Sequence, residues 1–154
     1  MKSFKFDLEK ILKLRKHYED EAKIELGRAV GILSELESRL FAIGRERVRA
    51  QEAQFFPGNS ADEIRQYSYY ILRLDNITEQ LLREVAAAQL KVEEAREAFL
   101  EASRERKVFD KLKEKRQKEY RKEMLAAETK ALDDISSSIF ARRRESSSST
   151  TLHA

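Results

Sequence analysis

The stretch from Ile64 to Tyr120 decides the fold. Stepped alternately by three and four residues, it reads Ile64, Tyr67, Ile71, Leu74, Thr78, Leu81, Val85, Ala88, Val92, Ala95, Phe99, Ala102, Arg106, Phe109, Lys113, Arg116 and Tyr120, with no missed step. A period of about 3.5 residues holds an apolar stripe against one partner helix in a left-handed supercoil, whereas the stripe of a straight helix drifts around its axis. The rest of the chain has to supply that partner or remain free helix.

Upstream, Phe4, Leu8, Ile11, Arg15, Tyr18 and Ala22 keep the same rhythm, and Leu26, Ala29, Leu33, Leu36, Leu40, Ile43, Arg47 and Ala50 continue it. The successive four-residue steps Tyr18–Ala22–Leu26 predict a stutter that locally unwinds the supercoil. Asp7 is placed to cap the first helix, with Phe6 and Ile11 as a hydrophobic staple. Between the two periodic stretches lies Phe55-Phe56-Pro57-Gly58-Asn59-Ser60, followed by Ala61-Asp62-Glu63. Pro disfavours helix at the residue before it, Gly accepts positive φ, and Ser60 with Glu63 reads as a capping box.

A short link between long amphipathic helices favours antiparallel neighbours. The fold expected is therefore all-α: a long antiparallel two-stranded coiled-coil hairpin with a projecting C-terminal helix, forming one domain over residues 1–144. Its helices are expected at about 7–54 and 61–140, joined by a turn at 55–60, and would be roughly 72 Å and 120 Å long. Folding about Gly58 sets Leu8 near Phe109 and leaves the helix after Arg116 without an intramolecular partner. That stretch is mostly charged, with a second apolar set at Leu125, Leu132, Ile135 and Ile139: a docking surface or residual amphipathicity. Residues 145–154, rich in Ser and Thr, are expected to be disordered.

Composition narrows the function classes. Of 154 residues, 41% are hydrophobic and 38% charged, with no Cys, no Trp and one Pro, a profile of coiled coils rather than of a broad core. The net charge of +3 hides interspersed acids and bases, as on solvated helix faces. No apolar run approaches the ~18 residues of a membrane span, and Met1–Asp7 has no signal-peptide core, so the expected location is cytoplasmic. Absence of Cys excludes disulfides and thiolate metal sites. His17 and His153 are isolated, no glycine-rich phosphate loop exists, and the acids lie along solvated helix without a pocket. No catalytic residue, metal site or cofactor is expected.

The start of the second helix carries more apolar surface than a two-stranded seam requires. Tyr70 and Ile77 flank the seam residues Leu74 and Leu81, with Tyr69, Leu72 and Leu82 nearby. This is either a seam broadened near the turn or an exposed contact stripe. Arg142-Arg143-Arg144 opposes the negative end of the helix dipole, or alternatively binds phosphate.

The opening Phe4-Lys5-Phe6-Asp7-Leu8-Glu9-Lys10-Ile11-Leu12-Lys13-Leu14-Arg15 resembles the start of the flagellar type III export protein FliJ family. The resemblance continues in Tyr67-Ser68-Tyr69-Tyr70-Ile71-Leu72-Arg73-Leu74, in Arg121-Lys122-Glu123 and in Leu132-Asp133-Asp134-Ile135, and covers about residues 4–144.

The resemblance implies a non-enzymatic component of the flagellar export apparatus, cytoplasmic and peripheral to the basal body at the inner membrane. It implies a coiled-coil stalk, similar in shape to the central stalk of rotary ATPases. Implied partners are the hexameric flagellar export ATPase, the cytoplasmic part of the export gate protein and export chaperones, with no nucleic acid and with membrane association through partners only. Carried over by position, the gate contact falls on Tyr70, Leu74, Ile77 and Leu81. The ATPase-facing end includes Arg15, Arg116, Arg121 and Lys122. Rod geometry alone also admits a structural stalk of a related rotary ATPase or virulence secretion system, and the Arg142 cluster admits nucleic-acid binding.

Overall fold

The computed structural model describes residues 3–149. Among them are two helices, α1 (Glu9–Gln54, 46 residues) and α2 (Ala61–Ser149, 89 residues), and no strand. The chain divides into two units, one of residues 13–106 and one of the residues up to Leu12 together with those from Lys107 on.

The 13–106 unit is an antiparallel helical hairpin. Its reversal follows from the turn chemistry. Asn59 N–H donates to the Phe56 carbonyl at 3.4 Å, closing a β-turn in which Pro57 takes the second position and Gly58 the third, with φ +98°. That is the type II arrangement, in which the third residue needs positive φ. The Asn59 side-chain amide donates to the carbonyls of Ala53 (2.6 Å) and Gln54 (3.0 Å), satisfying acceptors that the end of α1 leaves open. The capping box forms as expected: Ser60 N–H donates to Glu63 Oε2 at 2.6 Å and Glu63 N–H to Ser60 Oγ at 3.3 Å. These bonds to the charged form hold the Glu63 carboxyl below its usual range.

The core of this unit is one seam wide. Leu74, Leu81, Val85, Ala88 and Val92 of α2 are buried, as is Ala50 of α1. On α2 the expected seam holds with few departures: Ile64 and Arg116 are exposed, while the other positions of the series are buried or half-buried.

On α1 the seam differs from the expected one. The protected positions are Leu8, Leu12, Arg15, Glu19, Ala22, Leu26 and Ala29, stepping by four and three without interruption. The expected stutter is therefore absent. Leu12 is 1% exposed, whereas Ile11 is 39% exposed and Tyr18 lies outward as well. The place read as Tyr18 belongs to Glu19, which forms an ion pair with Arg106; their side chains are 16% and 23% exposed. Apolarity alone selects Tyr18, but a carboxylate is tolerated in a seam when a cation across from it neutralises it.

In the other unit the Phe4 ring lies against Tyr120, centroids 5.6 Å apart, and Lys113 Nζ is 2.8 Å from Glu9 Oε2. Pairing thus reaches past Arg116, where the intramolecular partner was expected to end. The reason is local. Residues 3–6 are not helical, and α1 begins at Glu9 rather than at Asp7. Extended chain advances about 3.3 Å per residue against 1.5 Å in a helix, so the few opening residues reach further along α2.

Helix α2 also runs beyond its expected end near residue 140, to Ser149. The segment Ala141–Glu145 contains no helix breaker, and Ser146 Oγ donates to the Arg143 carbonyl at 2.9 Å, a bond compatible with helix. Of the Ser/Thr tail expected to be disordered, 145–149 is helical, and 150–154 lies outside the described residues.

Candidate functional site

The stripe Tyr70, Leu74, Ile77, Leu81 divides into two roles. Leu74 (3% exposed) and Leu81 (8%) are turned into the hairpin core, while Tyr70 (37%) and Ile77 (36%) stand at its edge. Of the four, Tyr70 and Ile77 are the ones open to solvent. Leu74 and Leu81 set their position from beneath. Seven residues separate each pair, so both members of a pair lie on the same helix face.

Polar contacts fix the edge. Tyr70 Oη donates to Glu46 Oε1 of α1 at 3.0 Å, and this bond, with partial burial and the Glu46 charge, holds the phenol above its usual range. Beside it Arg47 makes two bonds to Asp75, Nε to Oδ1 at 2.5 Å and Nη2 to Oδ2 at 3.4 Å. A planar guanidinium meeting a carboxylate through two bonds fixes geometry as well as charge. Both carboxylates hold their partners in the charged or protonated form, since Arg47 is likewise shifted upward by Asp75. Tyr70 also borders a shallow cleft with Asn59, Glu63, Gln66 and Tyr67. The seam pattern pointed to Tyr70 and Ile77; it gave no sign of the Glu46 and Asp75 anchors, which are ordinary surface acids until the partner helix is in place.

The four cations assigned to an ATPase-facing end are distributed between the units. Arg15, in the hairpin unit, is half-buried and ion-paired with Glu105. Arg116 is exposed and lines a cleft of about 490 Å³ between the chain start and α2, together with Phe4, Leu8, Glu119 and Tyr120. Arg121 and Lys122 follow on α2, both exposed. From Leu125 to residue 146 every side chain is exposed, including the apolar Leu125, Leu132, Ile135, Ile139 and Phe140.

Among the described residues no group of His, Asp and Glu is arranged to hold a metal ion, and no helix is long and apolar enough to cross a membrane.

Two paired helices with a one-seam core, an anchored edge tyrosine and exposed apolar stripes define an α-helical coiled-coil protein. A family model described as flagellar FliJ protein matches residues 4–145. The chain belongs to that family. It is 27% identical over 137 residues to the flagellar FliJ protein of Bacillus subtilis strain 168, covering 87% of this chain and 93% of the relative. No solved structure matches it.

Proposed function

We propose that this chain is a non-enzymatic stalk of flagellar type III protein export, which binds the hexameric export ATPase ring and links it to the export gate and to export chaperones. The observation that carries the reading is the contrast along α2. Up to Tyr120 nearly all of its seam positions are covered by the rest of the chain, and from Leu125 onward none of its apolar side chains is. In this reading the helix after Glu123 projects, and its uncovered stripe is the surface a ring receives. Arg116, Arg121 and Lys122 stand at the base of that segment and supply cations to acidic groups of the ring. The shaft stays passive in the chemistry, and its asymmetry lets it contact nonequivalent ring subunits differently.

The gate contact falls on Tyr70 and Ile77, presented by the buried Leu74 and Leu81. Location in the cytoplasm at the basal body, with membrane association through partners only, follows from this reading. The deciding experiment titrates the matching export ATPase with the intact protein and with a chain ending at Glu123. Stimulation of ATP hydrolysis by the intact protein alone supports the stalk. Absence of both binding and stimulation with either chain, the ATPase being shown competent, overturns it in favour of a structural coiled coil of another assembly.

A further inference from the structure

The outer face of α1 carries an apolar groove that belongs neither to the seam nor to the Tyr70 edge. Phe41 and Val48 stand exposed on either side of Gly44, and the groove between them, about 710 Å³, is flanked by Arg45 and Arg49 on one side and begins at Glu37. A Cβ added at Gly44 meets no atom within 4 Å, so its missing side chain leaves a notch open to solvent. Arg45 lies over the Phe41 ring, 5.0 Å from its centroid. Phe41, Val48 and the exposed Phe55 recur every seven residues, the spacing of a seam waiting for a helix.

The same chain holds a helical stripe of complementary character. Leu125, Leu132, Ile135 and Ile139 are exposed along α2, interleaved with the acids Glu128 and Asp133 and followed by Arg142. Laid antiparallel with the 132–135 turn over Gly44, this stripe sets Val48 between Leu125 and Leu132, and Phe41 between Ile135 and Ile139. That register also sets Glu128 beside Arg49, Asp133 beside Arg45, and Arg142 beside Glu37. The parallel orientation keeps Asp134 beside Arg45 but places Ser138 opposite Arg49 and Ala126 opposite Glu37, so it loses two of the three pairs.

We propose that this groove is a self-association site, occupied by the Leu125–Ile139 stripe of a second copy of this chain. Apolar knobs enter the Gly44 notch, and the ionic pairs select the antiparallel register, the division of labour found in paired helices. The contact spans about four helical turns, at or below the roughly 1,200 Å² of the smallest specific interfaces, so association is expected at tens of micromolar. The stripe is the one assigned above to the ATPase ring, but the test contains no ATPase, so either reading can fail alone.

The experiment is analytical ultracentrifugation of the full chain over a concentration series at low and high salt. The expected result is a mass rising above one chain with concentration, more weakly at high salt. Gly44→Leu fills the notch at a position with open space and better helix propensity; it should raise Tm yet weaken association about tenfold. Arg45→Glu with Arg49→Glu should weaken it similarly, and so should Glu128→Arg with Asp133→Arg. Mixing the two reversed chains should restore assembly. A single-chain mass at every concentration overturns the proposal, as does association that neither reversal nor Gly44→Leu weakens.

Discussion

Glu19 gives the sharpest test of how the hairpin is held together. It occupies a seam position opposite Arg106, and both side chains are largely withdrawn from water. Exposed ion pairs contribute about 0.2–1 kcal/mol, whereas breaking a buried one by removing a single partner costs about 3–5 kcal/mol. At 16% and 23% exposure the pair lies between these limits, so Glu19→Ala should cost about 2 kcal/mol, chiefly by leaving the Arg106 guanidinium uncompensated. Tyr18→Ala, one residue away and outward-facing, should cost under about 1 kcal/mol despite removing far more apolar surface. Replacing both partners, Glu19→Leu with Arg106→Leu, should leave stability unchanged or raise it, because the desolvation penalty of two charges disappears. Urea unfolding followed by far-ultraviolet circular dichroism reads all four chains. If Glu19→Ala proves no more destabilising than Tyr18→Ala, or the replacement of both partners (Glu19→Leu with Arg106→Leu) costs as much as Glu19→Ala, the assignment of Glu19 to the seam is wrong.

Further consequences follow from the same contacts. Leu12→Ala should lower stability by about 2–4 kcal/mol and Ile11→Ala by under about 1 kcal/mol, a difference readable in the same unfolding experiment. The depressed Glu63 carboxyl contributes stability above the ordinary value of 4.5, and that contribution is lost as pH falls through its lower folded value. The Tm advantage of the native chain over Glu63→Gln should therefore shrink as pH drops below 4.5, and an advantage that grows toward acid contradicts the capping geometry. Tyr70→Ala with Ile77→Ala should reduce binding to the cytoplasmic part of the export gate with little loss of helicity, measured by calorimetry and circular dichroism. Unchanged affinity would remove the edge stripe from the contact.

What could be read from the chain depended on how local its cause was. The turn was legible because Pro57, Gly58, Ser60 and Glu63 each act within a few residues. The α2 seam was legible because apolar side chains mark it through most of its length. On α1 the reading placed Arg15 in the seam but took Ile11 for Leu12 and Tyr18 for Glu19. Glu19 is admitted there only because Arg106 lies across from it, a condition set by register between residues distant in sequence. The reach of Phe4 to Tyr120 was missed for a related reason: counting helical rise on both helices ignores an opening that is not helical.

The candidate contact surface was legible by half. Period alone places Tyr70, Leu74, Ile77 and Leu81 on one side of α2, but whether each faces a partner or the core depends on α1. A hairpin of two helices can cover only one stripe on each, so any further apolar period is left for another molecule. On α2 that surplus lies at Tyr70 and Ile77 and again beyond Leu125; on α1 it lies along Phe41 and Val48. Charge then separates these surfaces by partner. The Tyr70 edge is tied down by Glu46, so an incoming group meets a preset aromatic wall, whereas the Phe41 groove carries Arg45 and Arg49 and favours an acidic helix. Surfaces so different in charge can be occupied independently, as the proposed link between export components requires.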